Sequence, residues 1–352
     1  MATESSSPSE TNVNANPTIK HLIFSGGGPS IFRTFGSFYH LEDAGFVSMK
    51  NIQTIFGTSA GAIFGAILCL GFDKETITNY LINRPWHEAF PVKVSQIMDI
   101  YSKKGLYDHK AAETIFKPLL CAKDLPLTIT MKELYEYSNI ELHMYSLELN
   151  SFKIEDISYK THPDLPLLHA VIMSSTVPTI FIPFCVDGKC YIDGGVLANY
   201  PLSYCLEQGH KKEEILGFKF DFKAYVDDAD YSDDAHDNPD PNFKKDKEKE
   251  EKEEKERTDK KEKELAKTII SDSSNVLEYL MGFLGKVLKR ISTESSQENI
   301  PYELCCETTN MSFHAFKIAL TSLAHRKQLY QAGARLGKNF LSTINFTVYT
   351  NE

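Results

Sequence analysis

Hydrophobic positions in the first part of the chain alternate between short continuous apolar runs and stretches with helical spacing. The run 21–25 is followed directly by three glycines, a pattern typical of a buried strand that ends in a turn. The stretch 30–44 then carries apolar residues at every third or fourth position, as a helix does. The run 52–56 predicts a second strand, and 60–70 predicts a second helix that ends at Gly71. Strand, helix, strand and helix in this order predict a parallel sheet with right-handed crossovers.

Farther along, the pattern favours an added strand and a hairpin. The stretch 142–149 is typical of a strand, and the apolar runs 181–186 and 189–192 flank Asp187-Gly188. Asp-Gly between two such runs is a strong signal for a tight turn, so a β-hairpin is predicted there.

Two long helical patterns, 275–291 and 313–341, occupy the last part of the chain. In 275–291 the apolar residues share one face, and three basic residues cluster near the carboxyl end. Such a face either packs against the protein core or docks on a membrane surface. Both interpretations stay open, and a peripheral membrane contact through 275–291 is one expectation.

Composition and charge narrow the class of protein. The chain has 352 residues and a formal net charge of −10, which argues against a nucleic-acid partner because such proteins usually carry a basic surface. No apolar run approaches the roughly 20 residues that a membrane-spanning helix needs. The amino-terminal stretch lacks the pattern of an export signal, so we expect an intracellular, cytoplasmic protein whose seven cysteines are reduced thiols.

One shift in composition divides the chain. The segment 227–267 is almost entirely charged or polar, so it cannot bury enough apolar surface to offset its ordering entropy. We expect it to be a disordered or solvated helical insertion, and the polar stretch 1–19 to be a disordered tail. The remaining parts, 20–226 and 268–352, are expected to form one folded domain, the second part completing it with helices.

Candidate chemistry begins with the pentapeptide Gly57-Thr58-Ser59-Ala60-Gly61, a G-x-S-x-G pattern between a predicted strand and a predicted helix. A serine on such a sharp turn needs small neighbours so that strand and helix can approach each other. The turn places the hydroxyl at a helix amino terminus, where negative charge on a substrate oxygen is stabilised. Ser59 is therefore a candidate nucleophile, supported by Gly57 and Gly61.

The run Gly26-Gly27-Gly28 follows the first predicted strand. Its unhindered amides can line an anion site, which we interpret as an oxyanion hole. A nucleotide phosphate loop is the competing interpretation, but Ile31 stands where G-x-G-x-x-G requires its last glycine.

Asp193-Gly194-Gly195 is the third candidate element. An aspartate at the end of an apolar strand, followed by two glycines, is free to point into a cleft. Beside a serine nucleophile, Asp193 becomes the candidate base.

In their order along the chain, the glycine run, the G-x-S-x-G pentapeptide and Asp193-Gly194-Gly195 resemble the motifs of the patatin-like phospholipases. Two further segments add to the resemblance: 173–178 (MSSTVP) is similar to the family's A-S-S-A-x-P, and 193–201 (DGGVLANYP) is similar to its D-G-G-x-x-x-N-x-P. The resemblance covers about 21–201, and a weaker similarity extends to 320–341. It implies a three-layer α/β/α fold with a mostly parallel central sheet and a nucleophile elbow.

The same resemblance implies a function and roles for residues. Ser59 would be the nucleophile of a catalytic dyad, Asp193 its base, and the amides of Gly26–Gly28 the oxyanion hole. The expected reaction is the phospholipase A-type cleavage of ester bonds in phospholipids or acylglycerols through an acyl-enzyme, and neither a metal nor another cofactor is implied.

The chain departs from the family pattern after the glycines. The family usually has G-G-G-x-Arg/Lys-Gly, whereas Pro29, Ser30 and Ile31 follow here, and Pro29 has no N–H to donate. Arg33, one helical turn later, is the candidate for the missing positive charge.

Two alternatives to the dyad stay open. An α/β-hydrolase-type esterase would complete a triad with His210, His314 or His325. A lipid-binding protein with a weakened site would be non-enzymatic, and the altered glycine loop motivates this interpretation.

Overall fold

The computed structural model describes residues 17–90, 103–221, 298–307 and 313–344, with isolated positions at 279, 280, 283, 286 and 346. Its strands are β1 (His21–Phe24), β2 (Thr54–Thr58), β3 (Gly105–Tyr107), β4 (Glu141–Glu148), β5 (Lys153–Ile157), β6 (Thr179–Phe181), β7 (Phe184–Val186), β8 (Lys189–Asp193), β9 (Ile215–Asp221) and β10 (Tyr302–Glu307). Its α-helices are α1 (Ile31–Asp43), α2 (Ala60–Cys69), α3 (Lys74–Thr78), α4 (Trp86–Ala89), α5 (Lys110–Ala122), α6 (Met131–Ser138), α7 (Leu167–Ser175), α8 (Gly195–Ala198), α9 (Leu202–Glu207), α10 (Phe313–Thr321) and α11 (Leu323–Thr343).

Within these residues, eight strands form the main sheet in the order β10-β9-β1-β2-β4-β8-β7, and β5 pairs with β4. The strands from β10 to β4 run parallel to one another, whereas β5 and β8 pair antiparallel with β4. The carboxyl ends of β1, β2 and β4 therefore lie at one edge, which we call the carboxyl edge of the sheet. The predicted α/β fold with a mostly parallel central sheet is confirmed.

Both faces of the sheet are covered, and the side chains of β1 alternate between the two core clusters. Leu22 and Phe24 point into the larger core cluster, on the side of α1 and α2. Ile23 points the other way and packs with Leu202 of α9. A central strand buried on both faces explains why the run 21–25 is continuously apolar.

The first and last long helices, α1 and α11, pack directly on each other. A Cβ on Gly36 would collide with the carbonyl of Tyr330, and a Cβ on Gly333 would collide with the carbonyl of Arg33. The backbones touch because each helix has glycine at the crossing point. The rings of Phe35 and Tyr330, 5.4 Å apart, pack beside it.

One prediction about the cysteines is wrong. Cys185 and Cys190 form a disulfide between β7 and β8, with Cα atoms 4.1 Å apart. The tight turn at Asp187-Gly188 places the two cysteines opposite each other on paired strands. The prediction that all cysteines are reduced thiols therefore fails for this pair.

Several predicted segments lie outside the described residues. These are 227–267, nearly all of 1–19 and most of 275–291; at positions 279, 280 and 283 the chain is helical, and these side chains are exposed. The tail, the insertion and the membrane contact through 275–291 stay predictions. Among the helices described, none combines the length and the apolar character needed to cross a membrane.

Candidate active site

Ser59 lies at the junction of β2 and α2, where the chain turns sharply. Its backbone angles, φ 58° and ψ −126°, fall in a region that only glycine adopts readily, and its side chain is buried. Such strain costs about 1–3 kcal/mol and is typical of functional positions. The turn lifts the hydroxyl above the carboxyl edge of the sheet and in front of the amino terminus of α2.

The two glycines of the pentapeptide are required by the space around them. A Cβ on Gly57 would stand 2.7 Å from the carbonyl oxygen of Gly61, and a Cβ on Gly61 would collide with the carbonyl of Phe24. Gly57 therefore lets α2 approach β2, and Gly61 lets α2 approach the end of β1.

Ser174, from the segment 173–178, holds the strained turn in place. Its hydroxyl accepts a hydrogen bond from the Ser59 N–H at 3.1 Å and donates one to the carbonyl of Tyr145 at 2.7 Å. The turn is thereby tied to β4. The motif resemblance marked this segment, but the sequence alone did not assign Ser174 a role.

Asp193 ends β8, and the register of the sheet brings it beside Ser59. Thr58 of β2 is paired with Tyr145 of β4, and the next residue of β4, Ser146, is paired with Asp193. Ser59 and Asp193 therefore stand at the same level on either side of one strand.

The two oxygens of the Asp193 carboxyl differ in their surroundings. Oδ1 accepts a hydrogen bond from the Gly195 N–H at 2.7 Å, whereas Oδ2 is buried and has no hydrogen-bond partner among the described residues. Burial raises the pKa of Asp193 from 3.8 to about 6, against the smaller lowering effects of the nearby Ser59 hydroxyl and the Gly195 amide. The result is a buried carboxyl with a raised pKa and one oxygen that has no hydrogen-bond partner among the described residues.

Gly194 and Gly195 make this arrangement possible. A Cβ on Gly194 would collide with the carbonyl of Tyr145. A Cβ on Gly195 would stand 2.9 Å from Asp193 Oδ1 and 2.8 Å from Asn199 Oδ1. Both glycines are therefore needed for the close packing of the loop that follows β8.

The glycine loop lies beside Ser59, but its three amides are not equivalent. The Gly26 N–H donates to the carbonyl of Asn199 at 3.0 Å, so it is already occupied. The Gly27 and Gly28 amides donate to no acceptor in the part of the chain that the structure describes. Gly28, with φ +50°, lines a cavity together with Ser59. The Gly26 amide is therefore not free to bind a substrate oxygen, whereas the assignment of Gly27 and Gly28 to an oxyanion hole stays a prediction.

Arg33, predicted to support the oxyanion hole, is not among the residues that line this cavity. It lies near Cys306 of β10. Burial raises the pKa of the Cys306 thiol to about 12, and the smaller effect of the Arg33 charge is to lower it. Its role at the oxyanion hole stays a prediction.

The cavity that begins at Ser59 has a volume of about 190 Å³ and an almost wholly apolar lining. Its walls include side chains from α1, α2, α4, β6 and α10, among them Phe35, Ile63, Trp86, Phe181 and Leu320. A surface of this kind can take a hydrocarbon chain and offers nothing to a polar head group.

Of the histidines of the alternative triad, His210 is placed away from Asp193. The ring of His210 stacks on His21, with centroids 3.8 Å apart, at the amino end of β1 and so opposite the carboxyl edge of the sheet. His325 lies at the start of α11, where its main-chain N–H donates to the Ser322 hydroxyl. The side chain of His314 lies outside the described residues.

The described residues contain no group of three or more histidine, cysteine, aspartate or glutamate side chains arranged to hold a metal ion. What the site brings together is a strained serine, a buried carboxyl with a raised pKa, two open amides and an apolar cavity.

The family model described as patatin-like phospholipase matches residues 22–206. The probable lipid hydrolase 463L of Invertebrate iridescent virus 6 is 26% identical over 200 residues, which cover 55% of this chain and 66% of that protein. The uncharacterized protein R571 of Acanthamoeba polyphaga mimivirus is 26% identical over 185 residues, 53% of this chain and 61% of that protein. The chain thus spans less than two thirds of either relative.

Among solved structures, the crystal structure of VipD from Legionella pneumophila is similar with a TM-score of 0.50 and 18% identity. The match covers 93% of this chain and 67% of VipD. At this identity the likeness concerns the fold, and it agrees with the central sheet flanked by helices described above.

Proposed function

Since the chain belongs to the patatin-like phospholipase family, we propose that it hydrolyses carboxylic esters of phospholipids or acylglycerols through an acyl-enzyme formed on Ser59. The observation that carries the proposal is the pairing of two buried groups at one level of the sheet. Ser59 stands on a strained turn, and Asp193 beside it has a raised pKa and an unpartnered oxygen.

Asp193 would act as the base. An ordinary carboxylate is a weak base, but a pKa of about 6 makes Asp193 more basic while leaving it mostly ionised at neutral pH. Its Oδ2 would take the Ser59 hydroxyl proton as the serine oxygen attacks the ester carbonyl. The Gly195 N–H would meanwhile hold Oδ1 in place.

The negative charge that develops on the carbonyl oxygen needs donors. The amides of Gly27 and Gly28 would supply them, and the amino terminus of α2 would add the positive end of its dipole. Each such donor is typically worth about 2.7–4 kcal/mol of transition-state stabilisation.

The reaction would then proceed in two stages, the collapse of the tetrahedral intermediate and the hydrolysis of the acyl-enzyme. The protonated Asp193 would return its proton to the leaving alkoxide, which gives a free alcohol and an acyl group on Ser59. A water molecule, deprotonated by Asp193, would attack the acyl carbon and release the carboxylic acid and the free serine. An alkoxide needs less help from an acid than an amine does, so esters suit a carboxylate base better than amides.

The cavity supports a lipid rather than a small polar ester as substrate. Its lining is apolar from Ser59 inward, so it would hold the acyl chain while the head group stays outside. Burying a chain in this way is favourable because it removes hydrocarbon from water.

A fluorophosphonate probe tests the nucleophile directly, because it labels only an activated serine. We expect the wild type to be labelled and Ser59→Ala to be unlabelled, and the same pair to differ in hydrolysis of a lipid panel. Ser203→Ala, an exposed serine on α9, serves as the matched control and should behave as wild type.

Labelling that persists in Ser59→Ala would contradict the assignment of the nucleophile. A wild type that is neither labelled nor hydrolytic, yet binds a fatty acid, would favour the lipid-binding alternative.

A further inference from the structure

Arg326 is a charged residue in the interior of the protein. It lies in α11, only 2% of its surface is exposed, and no carboxylate pairs with it in the described part of the chain. Buried arginines are rarely found without such a partner. Its contacts therefore call for an explanation.

The guanidinium binds main-chain oxygens of two separate segments. Nε donates to Ile82 at 2.8 Å and one terminal nitrogen donates to Arg84 at 3.0 Å. The other terminal nitrogen donates to Ala319 at 2.8 Å and Leu320 at 3.3 Å.

These carbonyls lie at the ends of two helical segments. The first is the short π-helix Asn79–Asn83 with the residue that follows it, and the second is the last turn of α10. Carbonyls at a helix carboxyl terminus carry negative partial charge, so the two ends together stabilise the buried cation.

Both segments build the walls of the apolar cavity at Ser59. Leu81 lines it from the first segment, together with Trp86 just beyond Arg84, and Ala319 and Leu320 line it from the second. α10 also packs against α4 and against the turn Gly28–Ser30 that carries part of the glycine loop. The planar fork of Arg326 therefore ties together two segments that line the cavity.

We propose that Arg326 is a positioning residue that sets the length of acyl chain the cavity accepts, by holding the Leu81–Trp86 wall against the end of α10. The inference rests on the proposed ester hydrolysis at Ser59. It assigns a part of substrate selection to a helix that lies outside the residues matched by the family model, 22–206.

The expected effect follows from chain burial. Each methylene group removed from water improves binding roughly four-fold, so walls that separate should cost a long chain far more than a short one. A butanoyl ester reaches only the part of the cavity nearest Ser59 and should be the less affected substrate.

The test compares the 4-nitrophenyl esters of butanoic and dodecanoic acid. For Arg326→Met we expect the ratio of kcat/KM, dodecanoyl over butanoyl, to fall by about ten-fold or more. Lys327→Met, an exposed position next to it on the same helix, is the matched control and should leave the ratio unchanged. An equal fall for both esters, or no change for either, would overturn the proposal.

Arg326→Lys keeps the charge but loses the fork that spans both segments. We expect the same change in ratio at smaller size, and this variant decides the matter if Arg326→Met does not fold. An unchanged ratio in folded Arg326→Lys would overturn the proposal.

A binding measurement separates this inference from the proposed function. In a Ser59→Ala background, 11-(dansylamino)undecanoic acid should bind at least ten-fold more weakly when Arg326→Met or Arg326→Lys is added. Should the wild type hydrolyse neither ester, the proposed function fails and this measurement still decides the role of Arg326: weaker binding supports it, and unchanged binding overturns it.

Discussion

Asn199 binds both main-chain groups of Gly26, the N–H and the carbonyl. The carbonyl of Asn199 accepts the Gly26 N–H at 3.0 Å, and its Nδ2 donates to the Gly26 carbonyl at 3.0 Å. Asn199 directly follows α8, whose first residue, Gly195, supplies the N–H that binds Asp193. The glycine loop and the candidate base are thus joined by one short segment of chain.

Replacing Asn199 by aspartate tests this connection. Oδ1 of Asn199 and Oδ1 of Asp193 lie within about 6 Å of each other, because both approach the same point beside Gly195. A charge there disfavours ionisation of Asp193, so the acid limb of the kcat/KM profile should move up by about one pH unit. We also expect kcat to fall by about ten- to a hundred-fold.

Asn199→Ala removes the hydrogen bond to Gly26 without adding charge. Its rate should fall while its acid limb stays near that of the wild type. Equal limbs in Asn199→Asp and Asn199→Ala would contradict the electrostatic part of the prediction.

The pH dependence of the wild type should report Asp193. Burial raises the pKa of this carboxyl to about 6, so kcat/KM should drop about ten-fold per unit as the pH falls below that value. The limb should shift little with temperature, since carboxyl ionisation involves little enthalpy. A limb that moves strongly with temperature would instead indicate a histidine, as the triad alternative requires.

The ionised, buried carboxylate of Asp193 should also lower the free energy of unfolding of the protein. Its pKa is higher in the folded protein than the usual 3.8, so the penalty is absent below that pH and complete above about 6. Asp193→Asn should therefore raise the free energy of unfolding at pH 8 by up to about 3 kcal/mol, and by much less at pH 4. Urea unfolding at the two pH values measures the difference, and a gain of equal size at both would refute the prediction.

Two substitutions of Ser59 separate its chemistry from its strain. Ser59→Gly and Ser59→Ala should both abolish ester hydrolysis, because each removes the hydroxyl. With φ 58° at this position, Ser59→Gly should be more stable than Ser59→Ala by about 1 kcal/mol or more. Thermal unfolding of the two proteins side by side measures this, and equal midpoints would show that the turn is not strained.

The sequence predicted the elements that carry the site because their signals are local. Continuous apolar runs followed by glycine predicted β1 and β2, and the stretches 30–44 and 60–70 predicted α1 and α2. The predicted strand 181–186 is in fact two, β6 and β7, because Pro183 between them has no N–H to donate to a ladder. The predicted helix 313–341 is likewise two, since Ser322 caps the start of α11.

The residues that sequence reasoning missed act through partners far along the chain. Ser174 binds the Ser59 amide, Asn199 binds Gly26, and Arg326 binds the carbonyls of Ile82 and Arg84. Neither residue type nor spacing predicts which distant main-chain group such a side chain will meet. For the same reason, the sequence did not indicate that the Gly26 N–H is already bonded to Asn199.

The glycine contact between α1 and α11 limits how the chain can be shortened. The family match ends at residue 206, but the aromatic face of α1 is covered by a helix that begins more than a hundred positions later. A truncated product that stopped at that boundary would present Phe35 and its neighbours to water, and we expect it to aggregate. Any minimal fragment prepared for expression must therefore retain α11 through Thr343.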